Sequence, residues 1–401
     1  MNKQEASGYP VSAAPETQAI KYLGSKLKLL PSILRLSKKA AGDSDAAVFD
    51  GFSGSTRVSQ AFAKAGYTVY ANDTAPYTEI FNTAFLLNTE EPKKYQPLID
   101  HLNALKPLDG WFTEQYGGDG AYKDSAAGDG LKKPWQKKNT RRLDAVRTEI
   151  DRLNLDAVTR AVAITSLILA LDRVDSAVGH YASYLKEWSP RSYNDMKLEV
   201  PALWINRKKN VVMNRDIFDA VKHLPNERIV AYFDPPYGSN NEKMPASRVR
   251  YASYYHIWTT ICLNDKPAVF GKAKRRADSA DPLAGSVFEE FRRGRSGNYI
   301  VTEALERLMK ETPARYIILS YSSGGRVAAR ELRNALQRHG NIIETEKIPY
   351  KKNVMAIMKW TDDWVKEGEE AHNEYVFLVE TGQPQPPQPP AVLNGFPMPR
   401  L

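Results

Sequence analysis

Four consecutive residues, Asp234, Pro235, Pro236 and Tyr237, follow directly on the apolar run Arg228 to Phe233 (RIVAYF). A carboxylate at a strand end beside a proline carbonyl offers two hydrogen-bond acceptors in fixed relation. Each proline holds φ near about −65° and removes a competing N–H donor. Such a pair suits an aromatic exocyclic amine like that of adenine, whose lone pair is delocalised into the ring and attacks only when the nitrogen becomes tetrahedral. Acceptors on both amine hydrogens favour that change. Tyr237 adds a face on which a base can stack. A base inside a duplex cannot reach these groups, so it must be extruded, at a cost of a few kcal/mol. Stacking worth roughly 1 to 3 kcal/mol per base offsets much of this. The bland alternative is a strand-ending turn, since Asp and Pro are ordinary turn formers.

A second group of small residues closes an earlier apolar run. Asp50, Gly51, Phe52, Ser53, Gly54, Ser55 and Thr56 follow Ala46 to Phe49 and precede a helical pattern. Small residues let a ligand approach the backbone, and the helix start favours a carboxylate or phosphate. No Gly-Lys-Ser/Thr follows, which excludes a nucleotide phosphate loop, and the G-x-G-x-x-G dinucleotide fingerprint is absent. Asp73, about 20 residues on, ends a further strand pattern, where a carboxylate can accept both hydroxyls of a ribose. A helix N-cap is its alternative role. Upstream, Lys21 to Lys26 (KYLGSK) reads by itself as a helix start with Ser25 as cap.

The elements that must position these groups alternate between strand and helix, the pattern of a parallel sheet flanked by helices. Strands are expected at Ala46 to Asp50, Thr68 to Asn72, Asn210 to Asn214, Arg228 to Asp234, Ala314 to Tyr321, Asn341 to Ile348 and Glu374 to Glu380. Helices are expected at Arg57 to Lys64, Val301 to Lys310 and Arg326 to Gln337. The alternation stops between Thr89 and Lys209, where helical patterns dominate, so this stretch reads as an insertion. A second irregular stretch, Gly238 to Arg295, is rich in Tyr, Lys and Arg. The expected organisation is a disordered segment 1–18, a catalytic part 19–88, the insertion 89–209, a second catalytic part 210–382 and a Pro-rich disordered tail 383–401.

The lone Cys262 forms no internal disulfide, and six scattered histidines give no zinc spacing, so no metal is expected. No apolar run reaches the roughly 18 residues of a membrane span, which reads as a cytoplasmic chain with no membrane partner. Net charge is +9. Lys132, Lys133, Lys137, Lys138, Arg141, Arg142 and Arg147 cluster around Trp135, and Lys272, Lys274, Arg275, Arg276, Arg292, Arg293 and Arg295 form a second basic group. Both suit a polyanionic partner, and both equally suit a solvated surface.

Together the pieces resemble the Dam-like, D12-class adenine-specific DNA methyltransferases. The shared order is KYLGSK at Lys21, FSGS at Phe52, Asp73, the insertion, and DPPY at Asp234, a similarity spanning Ile20 to Glu380. The resemblance implies an α/β, Rossmann-like S-adenosylmethionine-dependent methyltransferase sheet with helices on both faces and an inserted, mainly helical target-recognition region. It implies that Tyr22, Gly24 and Lys26 touch the methionine end of S-adenosylmethionine and that Asp50, Phe52 and Gly54 line it. Asp73 would hold the ribose, and Asp216 and Ile217 would contact the cofactor adenine. Asp234, Pro235, Pro236 and Tyr237 would receive the flipped adenine for methylation at N6. The implied partner is double-stranded DNA, with Lys137, Lys138, Arg141 and Arg142 as candidate contacts. Whether a cognate restriction endonuclease accompanies the chain stays open.

One departure stands out: where the family's glycine loop reads F-x-G-x-G, this chain has Thr56 at the last position. Two alternatives remain at this stage, a cytosine-N4 DNA methyltransferase and a non-catalytic DNA-binding protein on a methyltransferase scaffold. Tyr251, Tyr254, Tyr255 and Trp258 are candidates to wall the flipped base, with core packing the better expectation for at least half of them.

Overall fold

The computed structural model describes residues 14–42, 46–119, 133–237, 250–280, 285–290, 292–295, 297–349 and 373–382. The expectations for 1–13, for Lys132 and for the tail 383–401 lie outside the described residues. Seven strands form one sheet: β1 (Ala47–Asp50), β2 (Val69–Asn72), β3 (Val211–Met213), β4 (Ile229–Phe233), β5 (Tyr316–Ser322), β6 (Gly340–Pro349) and β7 (Asn373–Thr381). Their spatial order is β6-β7-β5-β4-β1-β2-β3. The first five in sequence are parallel neighbours, and β7 runs antiparallel to both β5 and β6. Every residue of β1 and β4 is buried. That is why both read in the sequence as continuous apolar runs rather than alternating ones.

Adjacent residues of each strand feed two different cores. Val48, Val230, Ile318 and Val376 pack with Leu30, Ile33 and Leu36 of α1 (Leu30–Ala41) and Val58 and Phe62 of α2 (Arg57–Lys64). Their neighbours Phe49, Ala231, Ile317 and Phe377 pack with a second set of helices C-terminal in the chain, including Ile300–Glu311 and Ala329–His339. The sheet is thus covered on both faces, as the Rossmann-like reading requires. Strand order turns back between β1 and β4, and ligands in open α/β sheets bind at the carboxyl ends of strands beside such a reversal. Asp50 ends β1 and Asp234 follows β4 at that point.

A third core joins the insertion to the helix that precedes it. Helices α3 (Pro76–Leu86), α4 (Gln96–Ala104), α5 (Trp111–Tyr116), α6 (Lys137–Arg152) and α7 (Ala157–Arg173) bury Phe81, Phe85, Ile99, Phe112, Leu143 and Leu167 together. Ile257, Trp258 and Ile261, from the helix His256–Leu263 after the DPPY tetrad, join them. Within this stretch the described residues add only a pair of two-residue strands, 117–118 and 135–136, to the expected helices. Trp135 is fully buried, its indole N–H donating to the Leu171 carbonyl at 2.9 Å.

Two local expectations give way. Ser25 does not cap the first helix. A 3-10 turn, Leu27–Leu29, starts after Lys26, which has no side-chain cap bond, and it leads into α1. Residues 14–18, expected to belong to a disordered segment, lie on the domain. The Thr17 carbonyl accepts from the Arg57 guanidinium at 2.6 Å, and Gln18 and Gln60 exchange two hydrogen bonds. Among the described residues no helix is long and apolar enough to cross a membrane, and no group of three His, Cys, Asp or Glu is arranged to hold a metal.

Candidate active site

The carboxyl ends of β1, β2 and β4 open into one cavity of about 720 Å³, within the range of small-molecule sites. Its walls include Tyr22, Gly24, Lys26, Phe52, Gly54, Asp73, Asp216, Ile217 and the whole tetrad Asp234, Pro235, Pro236 and Tyr237. Twelve of the thirteen residues marked in the sequence for chemistry and cofactor contact are therefore brought together, Ile217 included. The exception is Asp50, which is fully buried and not part of the wall. Its Oδ2 accepts from the Ser59 hydroxyl at 2.5 Å behind the loop, and burial pushes its carboxyl up to about 7. It ties the loop to α2 rather than facing the cavity.

Asp73 answers the question left open by the sequence. It is not the N-cap of α3, a position taken by Ala75. One carboxylate oxygen accepts from the Gly54 amide at 2.8 Å and the other from the Ala75 amide at 2.9 Å. The glycine loop is pinned to the end of β2 in this way, while the carboxylate still borders the cavity. Gly54 has φ +47°, and an added Cβ would stand 3.3 Å from the Tyr22 ring, so the turn needs glycine. Gly24, at φ +80°, leaves no room either, since a Cβ would come within 2.9 Å of the Tyr251 hydroxyl.

Thr56 adopts φ +64°, which explains the family's glycine at this position. For a β-branched residue this conformation costs on the order of 1 kcal/mol or more. Part of that is offset locally. Its amide donates to the Ser53 carbonyl at 2.6 Å and its hydroxyl accepts from the Gln60 amide at 2.9 Å. The residue is fully buried and does not line the cavity, so the departure leaves the binding face unchanged. Thr56→Gly is expected to lie within about 1 kcal/mol of wild type, because relief of strain and loss of one hydrogen bond oppose each other. Thr56→Ala keeps the strain and loses the bond, so thermal unfolding should rank it the less stable of the two.

The reacting corner is crowded with charge. The Lys26 ammonium lies 3.0 Å from Asp234 Oδ1, 3.8 Å from Glu374 Oε2 and 5.3 Å from the centre of the Tyr237 ring. Burial works against that ammonium, but the two carboxylates outweigh it and hold Lys26 above its usual range. The Asp234 carboxyl is pushed up to about 6 by burial; Lys26 pulls it down and the nearby Glu374 charge pushes it further up. Lys26 is thus the ion-pair partner of the tetrad's carboxylate. Glu374 is the second residue of β7 and is 4% exposed. It was not singled out from the sequence, because only the long-range pairing of β7 with β5 brings it here.

Aromatic rings line the approach. Tyr22 stacks on Tyr255 at 4.5 Å and on Tyr251 at 5.5 Å. Of the four aromatic candidates, Tyr251 borders the cavity, while Tyr255 and Trp258 are buried in the insertion's core and Tyr254 stacks on His180 at 4.5 Å. At the other end Ile217 and Phe218 meet Phe288, which also packs edge-on against Phe52 at 5.2 Å. This apolar slot lies beside Asp216, whose carboxylate accepts from the Phe218 amide at 2.9 Å. Phe288 was not foreseen, since nothing local distinguishes it from a core phenylalanine.

The basic candidates fall into two kinds. Lys137, Lys138, Arg141 and Arg142 occupy the first turns of α6, outside the cavity wall. Lys138 pairs with Asp195 at 2.6 Å, Arg141 with Asp109 at 3.0 Å and Lys137 with Asp119 at 3.7 Å, and Arg142 donates to the Asn103 carbonyl. Such half-exposed pairs are weak and exchangeable. Arg147 differs: it is 1% exposed and donates to the Ile261 and Cys262 carbonyls, so it fastens the insertion to the helix after the tetrad. In the second basic group, Arg276 is buried between Asp265 and Asp278, whereas Lys272 is exposed.

A family model described as D12 class N6 adenine-specific DNA methyltransferase matches residues 22–284, most of the chain. Among curated proteins, Modification methylase StsI of Streptococcus sanguinis is 27% identical, over 83% of this chain and 48% of that protein. Type II methyltransferase M.FokI of Planomicrobium okeanokoites is 27% identical, over 90% of this chain and 52% of that protein. Type II methyltransferase M.NlaIII of Neisseria lactamica is 24% identical, over 81% and 90% respectively. The chain thus spans about half the length of the first two relatives.

Proposed function

The chain belongs to the D12 class of N6 adenine-specific DNA methyltransferases, and from that premise we propose that it transfers the methyl group of S-adenosylmethionine to N6 of an adenine flipped out of double-stranded DNA at a specific sequence. The observation that carries this reading is the single cavity shared by the glycine loop, Asp73, Asp216 and the tetrad Asp234–Tyr237. The cavity suits this donor. Phe52, Ile217, Phe218 and Phe288 offer an apolar slot for its purine, Asp73 an acceptor for its ribose and Asp216 an acceptor for its amine. Tyr22, Gly24 and Gly54 border the space left for the methionine end. When bound, the donor supplies an electrophilic methyl on a sulfonium. Asp234 and the Pro235 carbonyl hold the amine hydrogens, Tyr237 and Tyr251 flank the base, and Lys26 anchors the carboxylate.

The insertion 89–209 is the proposed target-recognition region, with Lys137, Lys138, Arg141 and Arg142 on DNA. Phosphate contacts give affinity without sequence information, and each one lost lowers the salt slope of binding by about 0.9. Lys137→Glu with Lys138→Glu should therefore weaken duplex binding and flatten the slope by about 2. An unchanged slope argues that these lysines only solvate α6.

Purified protein incubated with methyl-labelled S-adenosylmethionine and mixed-sequence duplex tests the reading once the product is digested to nucleosides. Label in N6-methyl-2′-deoxyadenosine is expected. Label in N4-methyl-2′-deoxycytidine points to the cytosine alternative. Absence of label, with no heat of cofactor binding, points to a DNA-binding protein without catalysis.

A further inference from the structure

We infer that Glu374 is a positioning residue for methyl transfer: by sharing the Lys26 ammonium and meeting the Tyr237 hydroxyl, it leaves Asp234 with negative charge to spend on the amine of the extruded base. This inference rests on the reading of Asp234 proposed above.

The geometry is a linked series of four side chains, Asp234, Lys26, Glu374 and Tyr237. Lys26 Nζ stands 3.0 Å from Asp234 Oδ1 and 3.8 Å from Glu374 Oε2, and the Tyr237 hydroxyl lies 3.5 Å from Glu374 Oε1. Lys26 is 5% exposed and Glu374 4%, and Glu374 does not itself line the cavity. It acts through its two neighbours. Were Asp234 alone with Lys26, the pair would be neutral and the ammonium would satisfy the carboxylate that the substrate needs. With two carboxylates around one ammonium, the buried cluster carries one negative charge in excess. Burying such an excess charge is costly, and a partner of opposite charge offsets that cost. The partner available is the positive charge that grows on the amine nitrogen as it becomes tetrahedral, in a site where water screens little. Glu374 also fixes Tyr237, which Gly325 approaches so closely that a Cβ there would stand 3.0 Å from the tyrosine Cβ.

The groups facing Asp234 are Lys26 ahead of α1, Glu374 on β7, Tyr232 on β4, Tyr251 after the tetrad and Asp50 at the end of β1. Of these, Glu374 is the like charge that raises the Asp234 carboxyl, on top of burial and against Lys26. Removing that charge lowers the Asp234 pKa. Activity that needs ionised Asp234 then persists to lower pH.

The test compares wild type, Glu374→Gln and Glu374→Asp in full-length protein, with methyl-labelled S-adenosylmethionine and mixed-sequence duplex. For Glu374→Gln we expect kcat to fall about tenfold or more, with the acid limb of its pH profile displaced downward by about half a unit or more. Cofactor and duplex affinities, read by calorimetry and by fluorescence anisotropy, should stay within about threefold of wild type. Glu374→Asp, which keeps the charge, should recover the wild-type limb and part of kcat. An unmoved limb in Glu374→Gln overturns the inference, as does equal loss in both variants accompanied by a lower melting temperature, which marks Glu374 as structural. If wild type itself labels no duplex, the functional reading fails and this inference falls with it.

Discussion

Asp234→Ala is expected to lower kcat by at least about three orders of magnitude while leaving S-adenosylmethionine affinity within about threefold of wild type. Removing one preorganised group that acts on developing charge commonly costs about 10² to 10³ in rate, and this carboxylate is both the proposed acceptor for the amine and the partner of Lys26. The fold should survive. Lys26 retains Glu374 at 3.8 Å, so the deletion does not strand a buried cation. The proposed cofactor contacts, Gly54, Asp73 and Asp216, line the cavity from other elements, which explains the expected split between turnover and binding. Single-turnover transfer and calorimetry measure the two halves separately; turnover close to wild type contradicts the role given to Asp234.

The second large effect is expected at Asp73, with the opposite split. Its carboxylate joins the Gly54 amide to the Ala75 amide, so alanine there releases the glycine loop as well as removing the proposed ribose acceptor. Hydrogen bonds to a charged acceptor contribute about 1.5 to 3 kcal/mol each. A cofactor Kd raised tenfold or more is the expected result, along with a lower melting temperature. With saturating cofactor, kcat should return to within about fivefold of wild type, because Asp73 does not touch the reacting amine. A Kd shifted by less than about twofold reduces Asp73 to a loop fastener.

Much of this architecture was legible in the chain because the informative signals are local. The helix Arg57–Lys64 falls where its pattern placed it, and β1 and β4 were visible as short apolar runs ending in acids, as buried parallel strands should be. Four residue types at the end of an apolar strand marked the tetrad, and a position about 20 residues past the glycine loop marked Asp73. The remainder depends on distant pairings that no local window contains. Glu374 reaches Lys26 only because β7 runs antiparallel beside β5 across a gap of more than 50 residues. Arg147 looked like part of a basic surface until the carbonyls of the helix His256–Leu263 proved to be its partners. Asp50 shares a motif with cavity residues, yet its carboxylate turns to Ser59, because the strand's alternation points it behind the loop. Ser25 suited a cap by type, but the chain turns at Lys26 to send that side chain to Asp234 instead.

The most direct test of the central claim is long-read sequencing of DNA from a methylation-free bacterial host that expresses the full chain, beside the same host expressing Asp234→Ala. N6-methyladenine at one recurring sequence, present with the wild-type chain and missing with the variant, is the predicted result. Unmodified DNA from the wild-type host, or methylation confined to cytosine, would contradict it.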